Sequence, residues 1–334
     1  MNKKYLLLLK NSMHQIPFID NAFMESNTDF KVLIKFLDDS FSNPVVQTPL
    51  RHHHDYSNPK ESEDSTLLLM PAWDPGVDIG VKIVTVNPNN SKYKLPSIQG
   101  TYIYSDGHKG FVKAILDAKA LTVKRTAAAS ALAASYLAKK DASSLLMIGT
   151  GALSPNLIKA HASIRPITKV YVWGRDLNKA KALAKEFSDE SFEIEAIENY
   201  EPYLSKVDII SCATLSKSPL VFGKYLRPGQ HLDLVGAYKK DMREADDEAV
   251  LRSSIFLDTY QGGLKESGDI VIPLEKNILK KEDIKADLFE LCSKTKKGRQ
   301  TDDEITFFKS GGHASEDLIG ARYYFKKYIE SMKK

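Results

Sequence analysis

Apolar and polar residues alternate in the first third of the chain, which is the pattern of a β-sheet with one covered face. Between Val81 and Val86 an apolar or β-branched residue alternates with a polar one such as Lys82, and Thr101–Tyr104 is rich in aromatic and β-branched residues. The breakers Asn-Pro-Asn-Asn at 87–90 separate these two runs. The pattern predicts a β-rich first region.

The period changes from two to that of a helix near Leu121. Thr126–Lys139 is rich in alanine, with bulky apolar residues at helical spacing, and predicts one long helix. Strands and helices then alternate, which predicts an α/β fold with a doubly wound parallel sheet. The predicted elements are a strand at Leu145–Ile148, a helix from Pro155, a strand at Lys169–Trp173, a helix at Leu177–Phe187, strands at Phe192–Ile197, Asp208–Ala213, His231–Val235, Ile255–Asp258 and Ile305–Phe308, and a last amphipathic helix at Ser315–Ile329.

Composition excludes several classes of protein. With 334 residues and 43% hydrophobic content the chain is long enough for two domains, and its apolar runs, such as Leu6–Leu9 and Leu67–Met70, are too short to cross a bilayer. The apolar stretch Tyr5–Leu9 is also too short for a signal peptide. Two cysteines form no disulfide framework, and the net charge of +4 is spread over scattered lysine pairs. We therefore expect a cytoplasmic protein that binds neither membranes nor nucleic acid.

A glycine-rich turn follows the first strand of the predicted parallel sheet. The run Gly149-Thr150-Gly151-Ala152-Leu153-Ser154 has the Gly-x-Gly spacing of a dinucleotide-binding turn, with serine in place of the third glycine. Ser154 is a candidate N-cap of the next helix and Pro155 suits its first position. A helix N-terminus offers N–H groups to a pyrophosphate, so we predict a nicotinamide dinucleotide here; the alternative is a plain turn without a ligand.

The end of the second strand bears on the choice of cofactor. An acidic residue there would bind the ribose 2′-hydroxyl of NADH, but Gly174 occupies this position and Arg175 follows it. A guanidinium suits a 2′-phosphate, which favours NADPH over NADH; Asp176 is the residue that would reverse this choice. Arg175 is otherwise an ordinary exposed turn residue.

Five ordered motifs resemble the ornithine cyclodeaminase and μ-crystallin family. The resemblance covers most of the chain and implies a homodimer in which a Rossmann domain (121–310) is inserted into a smaller α+β substrate-binding and dimerisation domain (1–120), to which the C-terminal helix (311–334) returns. The motifs are Val81-Lys82-Ile83-Val84 with Asn87-Pro88-Asn89, Leu121-Thr122-x-x-Arg125-Thr126-Ala127-Ala128, the Gly149 turn, Val235-Gly236-Ala237 with Met242-Arg243-Glu244, and Ile305-Thr306-x-Phe308-Lys309-Ser310-x-Gly312 with Glu316-Asp317-Leu318.

The resemblance also implies roles for individual residues. Arg51, Lys82 and Arg125 match family cations that bind a substrate carboxylate, and two guanidiniums with an ammonium suit a small amino or imino acid. Ser97 matches a family hydroxyl near the substrate, and Lys82 is also a candidate proton donor. The residues expected at the cofactor are Gly149, Thr150, Gly151, Ala152, Leu153, Arg175, Asp176, Thr214, Ser310 and Asp317.

His52-His53-His54 invites a metal-binding interpretation, which we reject. Neighbouring side chains of an extended segment alternate faces, so only His52 and His54 would share a ligand, and no supporting His or Cys pair follows at a suitable spacing. No metal is expected.

One departure from the cyclodeaminases decides the predicted chemistry. Those enzymes carry an aspartate shortly after the Gly-Ala of this motif, whereas Gly236-Ala237 is followed here by Tyr238, and the nearest acid is Asp241. Reduction of an imine needs no such base. We therefore predict an NAD(P)H-dependent ketimine reductase, with Δ1-pyrroline-2-carboxylate giving L-proline as the first choice and Δ1-piperideine-2-carboxylate giving L-pipecolate as an analogue. The alternatives are an ornithine cyclodeaminase, an amino-acid dehydrogenase, or a non-catalytic μ-crystallin-like binding protein.

Overall fold

The structure, a computed structural model, describes residues 16–333; the apolar run Tyr5–Leu9 lies outside them. Two compact units divide the chain: the first contains Val45–Thr122 with the residues up to Thr28 and from Ala314, and the second contains Asp29–Pro44 and Val123–His313. Residues 29–44, assigned from the sequence to the first domain, thus cluster with the second unit. The reason is packing inside that unit, where the rings of Phe41 and Phe289 lie 4.5 Å apart.

The first unit is built on a six-stranded sheet with the strand order β1-β6-β5-β4-β3-β2. Strands β2 to β6 are antiparallel neighbours, and β1 is parallel to β6. The strands are β1 (Phe18–Ile19), β2 (His52–Tyr56), β3 (Ser65–Asp74), β4 (Asp78–Val86), β5 (Ile98–Asp106) and β6 (Val112–Asp117).

The two faces of this sheet differ in burial. One face is buried and carries Lys82 opposite Met70 and Tyr102 in the register, and the C-terminal helix packs against its strands β3 and β4. The other face is half-exposed and apolar; its members include Leu69, Val81, Ile83, Ile103 and Ile115.

Ten α-helices occur in the described part of the chain. They are α1 (Asn21–Asn27), α2 (Phe30–Ser42), α3 (Ala118–Leu137), α4 (Ser154–Ile164), α5 (Leu177–Lys185), α6 (Asp247–Leu251), α7 (Tyr260–Gly263), α8 (Gly268–Glu275), α9 (Leu288–Cys292) and α10 (Ala314–Ser331), besides short 3-10 turns at Pro88–Tyr93, Glu201–Tyr203, Gly223–Tyr225 and Lys281–Asp283. None of the helices within 16–333 is long and apolar enough to span a membrane.

Helices α1 and α2 were not predicted individually, because the patterns interpreted in the first region lie between Val81 and Tyr104. Each begins after an aspartate that caps it: Asp20 accepts from the N–H of Phe23, and Asp29 accepts from the N–H of Val32. The buried residues of α2 have the helical spacing that marks it in the sequence, namely Phe30, Leu33, Ile34, Leu37 and Phe41.

The second unit confirms the predicted doubly wound sheet. Its eight strands are all parallel in the order β13-β12-β14-β11-β10-β7-β8-β9, so the order reverses between β7 and β10. Only β13 was not predicted. The strands are β7 (Ser144–Ile148), β8 (Lys169–Trp173), β9 (Glu193–Ala196), β10 (Ile209–Cys212), β11 (His231–Leu234), β12 (Ser254–Leu257), β13 (Ile284–Asp287) and β14 (Thr306–Lys309).

Burial on both faces explains why the central strands of this sheet are so apolar. Leu145, Leu146, Met147 and Ile148 are all 0% exposed. Truncation of such a leucine to alanine costs about 2–5 kcal/mol of unfolding free energy. This core holds the carboxyl ends of the strands, where the candidate site lies, in place.

Candidate functional site

The glycine turn lies at the switch point between β7 and β10, where open α/β sheets bind their ligands. Gly149 has a φ of +122°, and a Cβ there would lie 2.6 Å from the carbonyl oxygen of Ala213. A Cβ on Gly174 would lie 2.7 Å from Cγ2 of Thr150. A Cβ on Gly151, by contrast, would meet nothing within 4 Å. The first glycine is therefore required by the protein, and Gly151 faces open space in which a pyrophosphate would fit.

Ser154 does not cap α4, contrary to the expectation from the sequence. It is the first helical residue, with Pro155 second, and its hydroxyl donates to the carbonyl oxygen of Gly149 at 2.9 Å. The N-cap position belongs to Leu153, which makes no side-chain cap. The Ser154 hydroxyl thus joins the end of the glycine turn to its first residue. The first-turn N–H groups of α4 have no side-chain cap, as a pyrophosphate site requires.

The end of β8 presents two charged residues that are both exposed, Arg175 and Asp176. Asp176 caps α5, because one of its carboxylate oxygens accepts from the N–H groups of Asn178 at 2.9 Å and Lys179 at 3.4 Å. The nearest acid is therefore used as a helix cap, and Arg175 is the charged side chain next to Gly174 that remains for a cofactor contact.

Two further predicted cofactor residues lie at the carboxyl edge of the same sheet. Thr214 follows β10, and both its N–H and its hydroxyl donate to Glu244. Ser310 follows β14 and is 2% exposed, and the structure of residues 16–333 gives its hydroxyl no hydrogen-bond partner. A buried hydroxyl without a partner costs free energy, so a ligand that bonds it would gain affinity.

The turn after β14 also holds Arg125. Asp258 accepts from the N–H groups of Gly311 and Gly312 at 2.6 and 2.7 Å. The guanidinium of Arg125, a residue 4% exposed, lies 3.0 Å from where a Cβ of Gly312 would stand, and Gly312 has a φ of +79°. The second unit therefore places Arg125 against the loop that follows Ser310, one of the residues expected at the cofactor.

The first unit pairs Lys82 with Asp317, a contact that the sequence did not reveal. The Lys82 ammonium lies 2.7 Å from the Asp317 carboxylate, and the two side chains are 5% and 0% exposed. Asp317 lies in the first turn of α10, where the helix dipole favours a negative charge. The carboxylate in turn favours the charged form of the lysine, so Lys82 is a buried ammonium.

A second ion-pair cluster fixes α10 beside this pair. Arg322 donates to Asp74 at 2.8 Å and to both oxygens of Asp78 at 2.7 and 2.8 Å, and Tyr104 donates to Asp78 at 2.7 Å. These contacts join the helix to β3, β4 and β5. They hold Asp317, one turn and a half earlier on α10, against Lys82.

The other two predicted substrate residues lie at different distances from Lys82. Arg51 precedes β2 by one residue and continues the register to Met70 and Lys82, two strands and about 10 Å away. Ser97 precedes β5 and accepts from the N–H of Asn87, five register positions or about 16 Å along the ladder from the Lys82 and Tyr102 pair. The sheet brings Arg51 toward Lys82 and does not bring Ser97 there.

The histidine run forms the exposed edge strand β2. All its side chains are exposed, the rings of His52 and His54 lie 6.3 Å apart, and His53 bonds Asp55 at 3.0 Å. Within residues 16–333 no group of three or more His, Cys, Asp or Glu side chains is arranged to hold a metal ion.

Neither Tyr238, which follows Gly236-Ala237, nor Asp241 supplies a buried carboxylate at the position of the missing cyclodeaminase aspartate. Tyr238 is half-buried and has the Lys239 ammonium 5.8 Å from its ring centre. Asp241 is exposed and pairs with Lys217 at 2.8 Å, and the hydrogen bond from Lys217 lowers the pKa of the Asp241 carboxyl. A surface carboxylate of this kind is a poor base for activating an amine.

A parallel sheet with a glycine turn at its switch point and a separate unit that buries a lysine-aspartate pair define a two-unit Rossmann-type protein. The sequence matches the model of the ornithine cyclodeaminase/mu-crystallin family over residues 24–332. The chain belongs to this family, as its motifs predicted.

Individual relatives are similar over most of their length. The chain is 36% identical to the Δ1-pyrroline-2-carboxylate reductase of Paracoccus denitrificans over 77% of this chain and 82% of the relative. A solved structure of the Δ1-pyrroline-2-carboxylate reductase of Thermococcus litoralis, in complex with NADH and L-proline, has a TM-score of 0.87 and 32% identity, over 95% of this chain and 98% of that one. An archaeal alanine dehydrogenase dimer with bound NAD has a TM-score of 0.85 and 25% identity, over 95% and 97%.

Proposed function

We propose that the protein reduces the cyclic ketimine Δ1-pyrroline-2-carboxylate to L-proline with NAD(P)H. The observation that carries the proposal is the buried ion pair of Lys82 and Asp317, which supplies a protonated amine next to a fixed carboxylate inside a fold shared with Δ1-pyrroline-2-carboxylate reductases. The glycine turn, the uncapped start of α4 and the unpartnered Ser310 hydroxyl fit a nicotinamide dinucleotide.

Each residue of the site has a defined task in this reaction. A bound dihydronicotinamide supplies the hydride, which forms the new C–H bond at the imine carbon while the C=N π pair moves to nitrogen. Arg51 and Arg125 bind the substrate carboxylate by charge-assisted hydrogen bonds. Lys82 donates a proton to the imine nitrogen, Asp317 stabilises its charge beforehand, and water returns the proton to Lys82 afterwards.

One assay separates this function from its alternatives. Purified protein is given NADPH or NADH with Δ1-pyrroline-2-carboxylate or Δ1-piperideine-2-carboxylate, and separately NAD with ornithine or alanine. We expect oxidation of the reduced cofactor with both imines, and faster with the five-membered ring. Ammonia release from ornithine or alanine without imine reduction would assign a cyclodeaminase or a dehydrogenase instead. Cofactor binding without turnover of any substrate would assign a binding protein.

We also propose that Arg175 contacts the 2′-phosphate of NADPH. Asp176, the nearest acid, caps α5, and Arg175 is exposed directly after Gly174. We expect Arg175→Ala to raise the Kd of NADPH by about tenfold and to leave the Kd of NADH within about twofold, as titration of cofactor fluorescence would measure. Lys179→Ala, an exposed cation on α5, is the matched control. Equal effects of Arg175→Ala on both cofactors would contradict the contact.

A homodimer is the assembly that we propose. The half-exposed apolar face of the first unit's sheet suits a second copy of the chain, and the similar alanine dehydrogenase is described as a dimer. Light scattering of the eluting protein measures the mass, and Val81→Lys on that face should shift it to the monomer's. A monomeric wild type would contradict the proposal. The cytoplasmic location stays a prediction from the sequence.

A further inference from the structure

Glu244 is a fully buried carboxylate that ties together two loops at the carboxyl edge of the parallel sheet. One of its oxygens accepts from the N–H and the hydroxyl of Thr214 at 2.7 and 2.9 Å. Its other oxygen accepts from the N–H groups of Gly236 and Ala237 at 2.8 and 3.1 Å. Thr214 follows β10, and Gly236 and Ala237 follow β11. A single carboxylate therefore sets the spacing of the two loops.

Glu244 is itself held by a second buried acid and a buried lysine. The N–H groups of Glu244 and Ala245 donate to Asp269, on the first turn of α8, at 2.7 and 3.0 Å. Lys309, the last residue of β14, lies 3.1 Å from the other oxygen of Asp269 and 3.7 Å from Glu244. All three charged side chains are 0% exposed. The attraction of Lys309 for both carboxylates offsets part of the cost of burying them, and removal of the lysine would leave two buried acids without a cation.

The hydrogen bonds and the burial of Glu244 act in opposite directions on the pKa of its carboxyl. Burial raises the pKa of its carboxyl and the Lys309 charge opposes that rise. Four donors converge on the two oxygens, and a protonated carboxyl would turn a hydrogen toward one of them. These four bonds favour the carboxylate form, against the effect of burial.

The loop that Glu244 holds is wedged against the glycine turn. A Cβ on Gly236 would lie 2.0 Å from the Thr214 carbonyl oxygen, and a Cβ on Gly149 would lie 2.6 Å from the Ala213 carbonyl oxygen. Neither contact leaves room for the loop to move toward its neighbour. A shift of residues 213–214 would therefore displace the turn that meets the pyrophosphate.

We propose that Glu244 is a positioning residue for the dinucleotide. Through its bonds to Thr214, Gly236 and Ala237 it holds the loops after β10 and β11 in the position that dinucleotide binding requires. The inference rests on the proposed dinucleotide-dependent function. Glu244 touches neither cofactor nor substrate in this proposal. It acts on dinucleotide affinity through the loops.

The test is the Kd of NADH and NADPH for Glu244→Gln, measured by cofactor fluorescence alongside thermal unfolding. Glutamine keeps the shape of the side chain but turns an NH2 toward donors 2.7–3.1 Å away, so one loop must move. We expect the Kd to rise by about tenfold or more, with the KM of the imine at saturating cofactor changed by less than about threefold.

Asp233→Asn is the matched control. Asp233 is also a fully buried carboxylate of this sheet, and it accepts from Ser211 at 2.7 Å and bonds His161 at 3.0 Å without touching either loop. We expect this variant to lose thermal stability and to keep the wild-type Kd within about twofold. Equal Kd changes in both variants would overturn the proposal, since general loosening would then explain them.

Thr214→Val keeps the test decisive if Glu244→Gln does not fold. It removes one hydroxyl donor and retains the backbone donors, so the Kd should rise by about two- to fivefold. An unchanged Kd would overturn the proposal. Failure of the wild type to bind either dinucleotide would instead overturn the proposed function, so the two failures are distinguishable.

Discussion

The two units place their proposed functional groups at different points of their sheets. In the antiparallel sheet Lys82 lies in the middle of β4, on the face that α10 covers. In the parallel sheet the groups lie past the ends of strands, at Gly149, Thr214 and Ser310. An antiparallel strand has one face that an ion pair can occupy, whereas the central strands of a parallel sheet are covered on both faces and leave their ligands to the carboxyl edge.

We expect the largest effect from removing the charge of Lys82 in the middle of β4. Lys82→Met removes the proposed proton donor, and we expect kcat/KM for the imine to fall by about 10²- to 10⁴-fold in steady-state assays. It also leaves Asp317 buried without its cation, which costs about 3–5 kcal/mol of unfolding free energy. The double variant Lys82→Met with Asp317→Asn separates the two effects: stability should recover and activity should not. Activity retained in the single variant would remove Lys82 from the reaction.

The edge of the parallel sheet is tested by a pair of glycine substitutions. Gly149→Ala strains a φ of +122° and meets the Ala213 carbonyl oxygen, so both unfolding free energy and NADH affinity should fall, the affinity by about 10- to 100-fold. Gly151→Ala meets no protein atom within 4 Å, so it should weaken only the binding of NADH. Calorimetry and fluorescence titration measure the two quantities. A loss of stability in Gly151→Ala would show that the turn is closed by protein and not by ligand.

Buried groups without a proposed functional task give smaller effects, confined to stability. Burial lowers the pKa of His231 to about 3, and its Nδ1 lies 2.9 Å from the Thr306 hydroxyl, which donates to Leu137. An unfolded histidine has a pKa of about 6.5. On acidification the unfolded chain therefore binds a proton at this histidine at a pH where the folded protein keeps it neutral. The unfolding free energy should fall by about 2 kcal/mol from pH 7 to pH 5 through this group.

His231→Gln is the variant that isolates this contribution. Chemical unfolding at pH 7 and pH 5 should show a smaller difference for the variant than for the wild type, because glutamine binds no proton in this range. The same pH dependence in both proteins would mean that His231 is not held neutral.

We expect the smallest effect on stability from Tyr102, which lies in the first unit. Its ring is 0% exposed, opposite Lys82 in the register, and within residues 16–333 its hydroxyl has no hydrogen-bond partner. Tyr102→Phe removes a buried hydroxyl whose desolvation is not compensated, so the unfolding free energy should stay constant or rise by up to about 1 kcal/mol. A loss larger than about 1 kcal/mol in denaturant titration would show that the hydroxyl is bonded in solution.

Elements whose residue pattern lies within the element itself could be predicted from the sequence. The strand at Lys169–Trp173 has its predicted bounds, and the helix predicted at Ser315–Ile329 extends by one residue at its start and two at its end. The missed helices α1 and α2 also carried local signals, in the caps Asp20 and Asp29 and in the spacing of apolar residues. The prediction of a β-rich first region rested on the strand patterns of residues 81–104, which lie outside these two helices.

The role of Ser154 shows where local rules reach their limit. A serine before a proline at the start of a helix is typical of an N-cap. The hydroxyl of Ser154 instead donates to the carbonyl oxygen of Gly149 within the turn. The choice depends on how the turn closes, which the order of residue types does not specify.

The amino-acid sequence by itself determined the alternating order of strands and helices, the glycine turn and the family, because hydrophobic period and turn chemistry act over a few residues. Only the tertiary structure decided that Lys82 pairs with Asp317 and that Glu244 meets Thr214, Gly236 and Lys309. Apart from Gly236, these partners lie on elements far apart in the chain, and the partner of a buried charge is known only once packing has brought the two together.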